Sequence, residues 1–507
     1  MSVTEIRNHF VNWREWELNP IVIKELRQAV RSWAVTGMLL LFLAVLFLTS
    51  LVFLVTQSID GNVNMQLGGS MFSAFVAILT GASLCFIPLY IGVRVVMERR
   101  ENNSDLLYVS TLSPARIIRG KFFCGAYMAL LFFSVCMPFM AFTNLLRGVD
   151  LPTIFFILTC LFLVVCAVNQ MAIFLACMPA SLPLKILLGL LGLAASFWGV
   201  ISLVLVSYEF MRSGVGVMMG ERYFWIGTIS AIGIGLAVTG LFYILSVALI
   251  SPPSANRARP VRIYLTVIWL LGGLLGTAWM LKTGRIEPLF LWTYLTYALM
   301  MVSLLVTISN SDTLSFRVRR TIPQSRWKRA VAFLFFNGAA GGLIWVALIS
   351  GLTFFVTNLG LKVSPSTGTE ASTFSLFYST TMAYAFAYAL TALVICRKFF
   401  PRRPPKLAGV LAVFLAGVWA VTPGIVLFFL NRLSWKSIEG LQPGNIFNVA
   451  PTHDDTQQLY HLYCACGWLL VMVVINAKWF CRQARNFQPP ASTPLPPVLN
   501  ETEPADQ

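Results

Sequence analysis

The chain has 507 residues, of which 57% are hydrophobic and only 11% charged, and its formal net charge is +17. A soluble domain carries about a quarter of its residues as charges, so this composition excludes a soluble globule and describes an integral membrane protein with little mass outside the bilayer. The positive balance does not indicate nucleic acid as a partner: the basic residues lie in short clusters between apolar runs, as anchors against an anionic cytoplasmic leaflet do.

In chain order, residues 1–33 mix acidic and basic groups too freely for a cleaved signal peptide and read as a cytoplasmic N-terminus. Asn19-Pro20 offers a helix cap followed by proline at the first helical position. At about 100° per residue, Val22, Ile23, Leu26, Ala29, Val30 and Trp33 fall on one arc, and Lys24, Arg27, Gln28 and Arg31 on the other. This predicts a basic amphipathic helix in the cytoplasmic interface.

Apolar runs long enough to cross about 30 Å of hydrocarbon follow at 34–56, 71–93, 122–146, 153–178, 186–207, 223–250, 263–281, 288–308, 330–357, 376–396, 407–430 and 459–480. With the N-terminus inside, 29 of the 37 Lys and Arg residues fall on inside segments. That bias predicts an all-α polytopic protein of about twelve transmembrane helices with both termini inside. Continuous apolar runs of this length do not fit a β-barrel, whose strands alternate. Residues 34–262 form a six-span unit, 263–480 a second, and the proline-rich end within 481–507 (from Phe487) a disordered cytoplasmic tail.

The second and third spans are joined by Arg94–Lys121, RVVMERRENNSDLLYVSTLSPARIIRGK, which carries nine charged residues amid apolar sequence. It must lie in water beside the membrane. Ser113-Pro114 marks a helix start, and the segment reads as two short helices at the membrane face, a shape suited to docking.

Inside the spans, polar residues are sparse. Asn169 and Gln170 in the fourth span and Asn337 in the ninth are candidates for lining a translocation path, although hydrogen bonds between helices that fix packing are the better account of them. Pro138 and the glycines Gly338, Gly341 and Gly342 predict kinks or close helix approach. No Asp or Glu falls near the centre of a span, so there is no carboxylate relay of the kind proton-coupled carriers use. The cysteines read as packing residues, and His453, Asp454, Asp455 and His461 as an outer solvated loop and not a metal site. Gly120-Lys121 is the sole Gly-Lys pair, and the P-loop pattern around it fails at Ala115 and Phe122. No catalytic residues, metal or cofactor are expected in this chain.

The run ERRENNSDLLYVSTLSPARIIRGK resembles the element that joins the second and third spans of bacterial ABC type-2 transporter permeases. Glu98, Arg99, Asp105, Leu106, Leu107, Ser113, Ile117, Gly120 and Lys121 match that pattern, and Pro114 follows the serine where the family has a proline before it. Asn102-Asn103 stands where the family has Gly-Thr. NPIVIKELRQAVRS, Asn19 to Ser32, resembles the segment that precedes the family's first span, and the likeness covers about the first 260 residues. It implies the membrane subunit of an ATP-driven exporter in a prokaryotic cytoplasmic membrane, with Glu98, Arg99, Asp105, Leu106, Leu107, Ser113, Pro114, Ile117, Gly120 and Lys121 docking a separate ABC-type ATP-binding subunit that holds the ATP. The alternatives are a secondary carrier and a membrane-embedded transferase acting on lipid-linked substrates.

The second half again offers six spans, and its loop Ser309–Ala330 contains Pro323-Gln324-Ser325, which resembles the Pro-x-Ser step of the same family element. It reads equally as a degenerate copy or as a basic anchor. The complex is expected to present two docking loops, either from one chain acting as a pseudo-dimer or from a homodimer whose extra spans are peripheral, with the homodimer preferred because the first loop is the better dock.

Overall fold

The computed structural model describes residues 20–60, 67–100, 113–146, 149–252, 254–363, 368–429, 444–449 and 455–490. Asp105, Leu106, Leu107, His453, Asp454 and the tail beyond 490 lie outside them. Every regular element described is helical. Eleven helices among the described residues are long and apolar enough to cross a membrane. The protein is therefore an all-α, multi-pass membrane protein.

The helices gather into two compact units, Met1–Pro252 and Pro253–Gln507. In the first, a short helix α1 (Pro20–Val30) precedes α2 (Trp33–Asp60). The second span is α3 (Leu67–Gly81), a π-helical turn at Ala82–Phe86, and α4 (Ile87–Arg100). Then come α5 (Pro114–Leu145), α6 (Leu151–Cys177), α7 (Leu182–Ser213), the one-turn α8 (Val215–Met218) and α9 (Arg222–Ile250). In the second unit, α10 (Ala258–Thr283) and α11 (Glu287–Ile308) are followed by a one-turn α12 (Phe316–Arg319) and an amphipathic α13 (Arg326–Phe335). The remaining spans are α14 (Ala339–Val363), α15 (Gly368–Phe399), α16 (Lys406–Phe429) and α17 (Asp455–Asn486).

Each unit has its own packing. In the first, α2 packs on the second and third spans, and the second span packs on the third, fourth and fifth. The third span α5 packs on the fourth and sixth, and the fourth span α6 on the fifth and sixth. The buried core follows from this: Phe42 of α2 meets Phe132 of α5 edge-on at 5.2 Å, and Phe72, Phe75, Met128 and Ile173 are fully enclosed. In the second unit α10 packs on α11 and α14, α11 on α14, α15 and α16, α14 on α15 and α17, and α15 on α16 and α17.

Several expectations need correction. Arg94–Lys121 is not flanked by two separate short helices: α4 runs through Arg100 and α5 starts at Pro114, so the flanks are the ends of two long helices, with 101–112 outside the described residues. The proline-first start at Ser113-Pro114 is as expected, with the amides of Arg116 and Ile117 bonded to the Ser113 carbonyl. Pro138 sits inside α5 without ending it.

The expected ninth span at 330–357 is two elements. The chain breaks at Phe336–Gly338, where Gly338 takes φ +138°, a conformation open to glycine but not to residues with a side chain. The boundary between units falls at 252/253 and not 262/263, because the segment before α10 is bound into the second unit. Ser315 donates to the Ser254 carbonyl at 2.9 Å, and Asn337 donates to that of Ala255 at 3.3 Å. Finally, the expected tail starts too early: α17 continues to Asn486, and Phe487 is buried edge-on against Phe333 and Phe336 at 5.3 Å each.

Candidate functional site

The densest polar construction in the first unit lies where the charge bias places the cytoplasm, at the meeting of α1, the end of α4 and the start of α5. Lys121, two turns into α5, extends its ammonium to Glu25 Oε1 at 3.1 Å and to Glu98 Oε2 at 2.5 Å. Arg94, one turn before Glu98 on α4, lies 3.8 Å from Glu25 Oε2, donates to Gln28 on α1, and donates to the Tyr90 hydroxyl at 3.0 Å. Two acids face two bases, so the cluster is neutral. Its burial is graded: the side chains of Glu25 and Lys121 are 5% and 6% exposed, those of Arg94 and Glu98 22% and 26%.

Local sequence explains each placement. Glu98 follows Arg94 by four residues, the spacing that puts two side chains on one helix face. On α1, Val22, Glu25, Leu26 and Ala29 form the face turned to α5. The expected apolar arc is thus split: Ile23 and Val30 are exposed, while an acid occupies the buried side. Glu25 could have been noticed in the sequence, since it stands three residues after Val22 and four before Ala29. Its partners could not, because Lys121 is 96 residues away.

Buried ion pairs are costly to form, and desolvation offsets most of the attraction. What they provide is geometry. Removing Lys121 leaves the buried Glu25 with only Arg94 at 3.8 Å, so the three helix ends are held in one arrangement. Both ends of the 101–112 segment are thereby fastened to α1.

Of the expected docking residues, the structure brings Glu98 and Lys121 together inside this cluster. Ile117 and Gly120 are buried beside them, Pro114 is half-buried and Ser113 exposed. Arg99 is in the last turn of α4, and Asp105, Leu106 and Leu107 fall outside the described residues.

The residues expected along a path are engaged in packing. Asn169 is buried on α6, donates to the Phe122 carbonyl at 3.4 Å, and fits over Gly125, where any Cβ would collide with its amide. Gln170 donates to Ser246 of α9 at 3.3 Å. Asn337 is not within a membrane helix. It sits in the break before α14, accepts the Ala258 amide at 2.8 Å and so caps α10.

Two further buried groups belong to the second unit. Arg262, 4% exposed, donates to the carbonyls of Leu334 and Phe336 at 2.8 Å each and of Gly338 at 3.2 Å. It satisfies the open end of α13 and the break beyond it. Gly341 and Gly342 make this possible, since a Cβ at the first would strike the Phe333 carbonyl and at the second the guanidinium. His461 is not in a solvated loop but buried on α17, its Nδ1 3.3 Å from the Tyr384 hydroxyl, which in turn accepts the Gly444 amide at 3.0 Å. Among the described residues no cluster of His, Cys, Asp or Glu could hold a metal ion.

Comparisons with protein-family models, with curated proteins and with solved structures gave no match to this chain.

Proposed function

We propose that the chain is the membrane-spanning permease subunit of an ABC exporter, driven by a separate ATP-binding subunit that docks on the segment between α4 and α5. The observation that carries this is the Glu25–Lys121–Glu98–Arg94 cluster. A docking loop can drive a permease only if its movement is transmitted, and both of its ends are bound to the helix that leads into the first span. The family-like residues of the sequence supply the docking end, and the buried cluster supplies the linkage. ATP is bound by the partner, and the chain itself needs no cofactor.

Leu107→Asp is the direct test. A carboxylate forced into an apolar contact without a partner costs several kcal/mol, on the order of what holds a modest interface. The variant is expected to insert normally and to lose its ATP-binding subunit on co-purification. Normal capture of that subunit with normal transport would refute the docking role. Arg99→Glu is expected to act more weakly, because charges at an interface rim mainly tune association rate.

A second reading, a secondary carrier, has one observation in its favour: His461 is an ionisable group buried within a membrane helix against Tyr384. Transport driven by a pH gradient in purified protein, abolished by His461→Gln, would favour it over the ATP-driven reading.

A further inference from the structure

The two units share one plan. Number the spans of each unit one to six; the second unit's are α10, α11, α14, α15, α16 and α17. In both, the first packs on the second and third, the second on the third, fourth and fifth, the third on the fourth and sixth, and the fourth on the fifth and sixth. Six helices could be paired in many other ways, and sequence neighbours alone do not dictate contacts such as second with fifth or third with sixth.

The amphipathic helices obey the same plan by different connections. In the first unit α1 precedes the first span and packs on the third and first spans, α5 and α2. In the second unit α13 lies between the second and third spans, yet it too packs on the third and first, α14 and α10.

The depth of α13 is fixed by its bonds. Arg262, in the second turn of α10, holds the carbonyls at the C-terminal end of α13, and Asn337 caps α10 from the residue next to Phe336. That end therefore lies level with the first turns of a membrane helix. The inner side, Ala332 and Phe333, packs on Val318, Ile322, Phe336 and Phe487. Trp327, Ala330, Val331 and Leu334 repeat at the spacing of one helix face, and on it Trp327 is 86% and Val331 57% exposed. Arg326 and Lys328 flank that face, are exposed, and make no ion pair among the described residues. On α1 the exposed Ile23 and Val30 are flanked likewise by Lys24, Arg27 and Arg31.

We infer that the second unit is a copy of the first, and that α13 is its counterpart of α1: an anchor whose apolar face enters the cytoplasmic leaflet while Arg326 and Lys328 bind anionic phospholipid headgroups. An aromatic residue beside aliphatic ones, with basic flanks and no covering element among the described residues, is the composition of a helix lying in a negatively charged lipid surface. Gly338 allows the sharp turn from this in-plane helix into the third span.

The test uses the full chain in nanodiscs of phosphatidylcholine with or without phosphatidylglycerol. The photoreactive residue p-benzoylphenylalanine is placed singly at Val331, at Lys328, and at Val30 of α1. Adducts at Val331 and Val30 are expected to be phospholipid, and the Lys328 position is expected to give little. Native mass spectrometry is expected to find phosphatidylglycerol retained in preference to phosphatidylcholine. Arg326→Gln with Lys328→Gln is expected to weaken that preference roughly thirtyfold, about fivefold for each basic residue near an anionic surface. Both are surface changes, and an unaltered circular dichroism spectrum shows that the fold is kept. Lipid adducts at Val30 but not at Val331 would overturn the equivalence of the two helices. Adducts with a protein at Val331, or equal retention of the two lipids, would overturn the lipid assignment.

Discussion

Lys121→Met tests the buried cluster most sharply. Methionine keeps the apolar length of the side chain and removes only the charge. In the native unit, Lys121 holds Glu25 at 3.1 Å and Glu98 at 2.5 Å. Without it, Glu25, 5% exposed, keeps only Arg94 at 3.8 Å, whereas Glu98, 26% exposed, can turn to water. The damage therefore falls on Glu25 and on the helix that carries it. Removing one partner of a buried pair costs about 3–5 kcal/mol. Taken up locally, that raises the opening of α1 by roughly 100- to 4000-fold, at 1.4 kcal/mol per tenfold. Hydrogen exchange in a nanodisc is the assay: amides of residues 20–30 are expected to lose protection by that factor, while the core of α6 keeps its own. Glu25→Gln in the same background is expected to restore most of the loss, because it removes the stranded charge. Unchanged exchange in α1 on Lys121→Met, or no rescue by the double variant, would refute the claim that this cluster fastens the three helix ends.

Arg262→Met removes the donor from three carbonyls at the end of α13, at about 1–3 kcal/mol for each acceptor left buried and unpaired; faster exchange at 326–338 and a lower melting temperature are expected, and an unchanged melt would count against it. Asp312 carries a pH dependence: burial pushes its pKa up from the usual 3.8, only partly countered by the Ala339 amide, Trp479 and Arg397. A carboxyl raised on folding contributes stability below its unfolded pKa and loses it as pH rises through the folded value, so Asp312→Asn is expected to flatten the melting temperature between that unfolded value and neutrality, and a slope equal to the wild type's would reject the assignment. Reporter fusions at Asn103, Gln324, Glu439 and Gln507 are expected to read inside, inside, outside and inside; an outside signal at Asn103 or Gln324 would reverse the topology and remove the docking argument.

Much of this protein is decided along the chain. An apolar run of sufficient length becomes a membrane helix because the bilayer leaves backbone groups no other partner, and Lys and Arg bias its orientation. Both are local properties, which is why the spans at 153–178, 223–250 and 288–308 coincide within two residues with α6, α9 and α11. Proline after serine at 113–114 likewise fixes the start of α5 without help from the rest of the fold. The polar residues are different, because their roles depend on what lies opposite. Glu98 and Lys121 read as surface docking groups until α1 brings Glu25 against Lys121. Asn337 reads as a residue within a span until Arg262, 75 residues earlier, gathers the carbonyls on either side of it and Gly338 turns the chain. A buried charge must find its partner wherever packing supplies one, at any sequence distance. That pairing belongs to the tertiary structure alone.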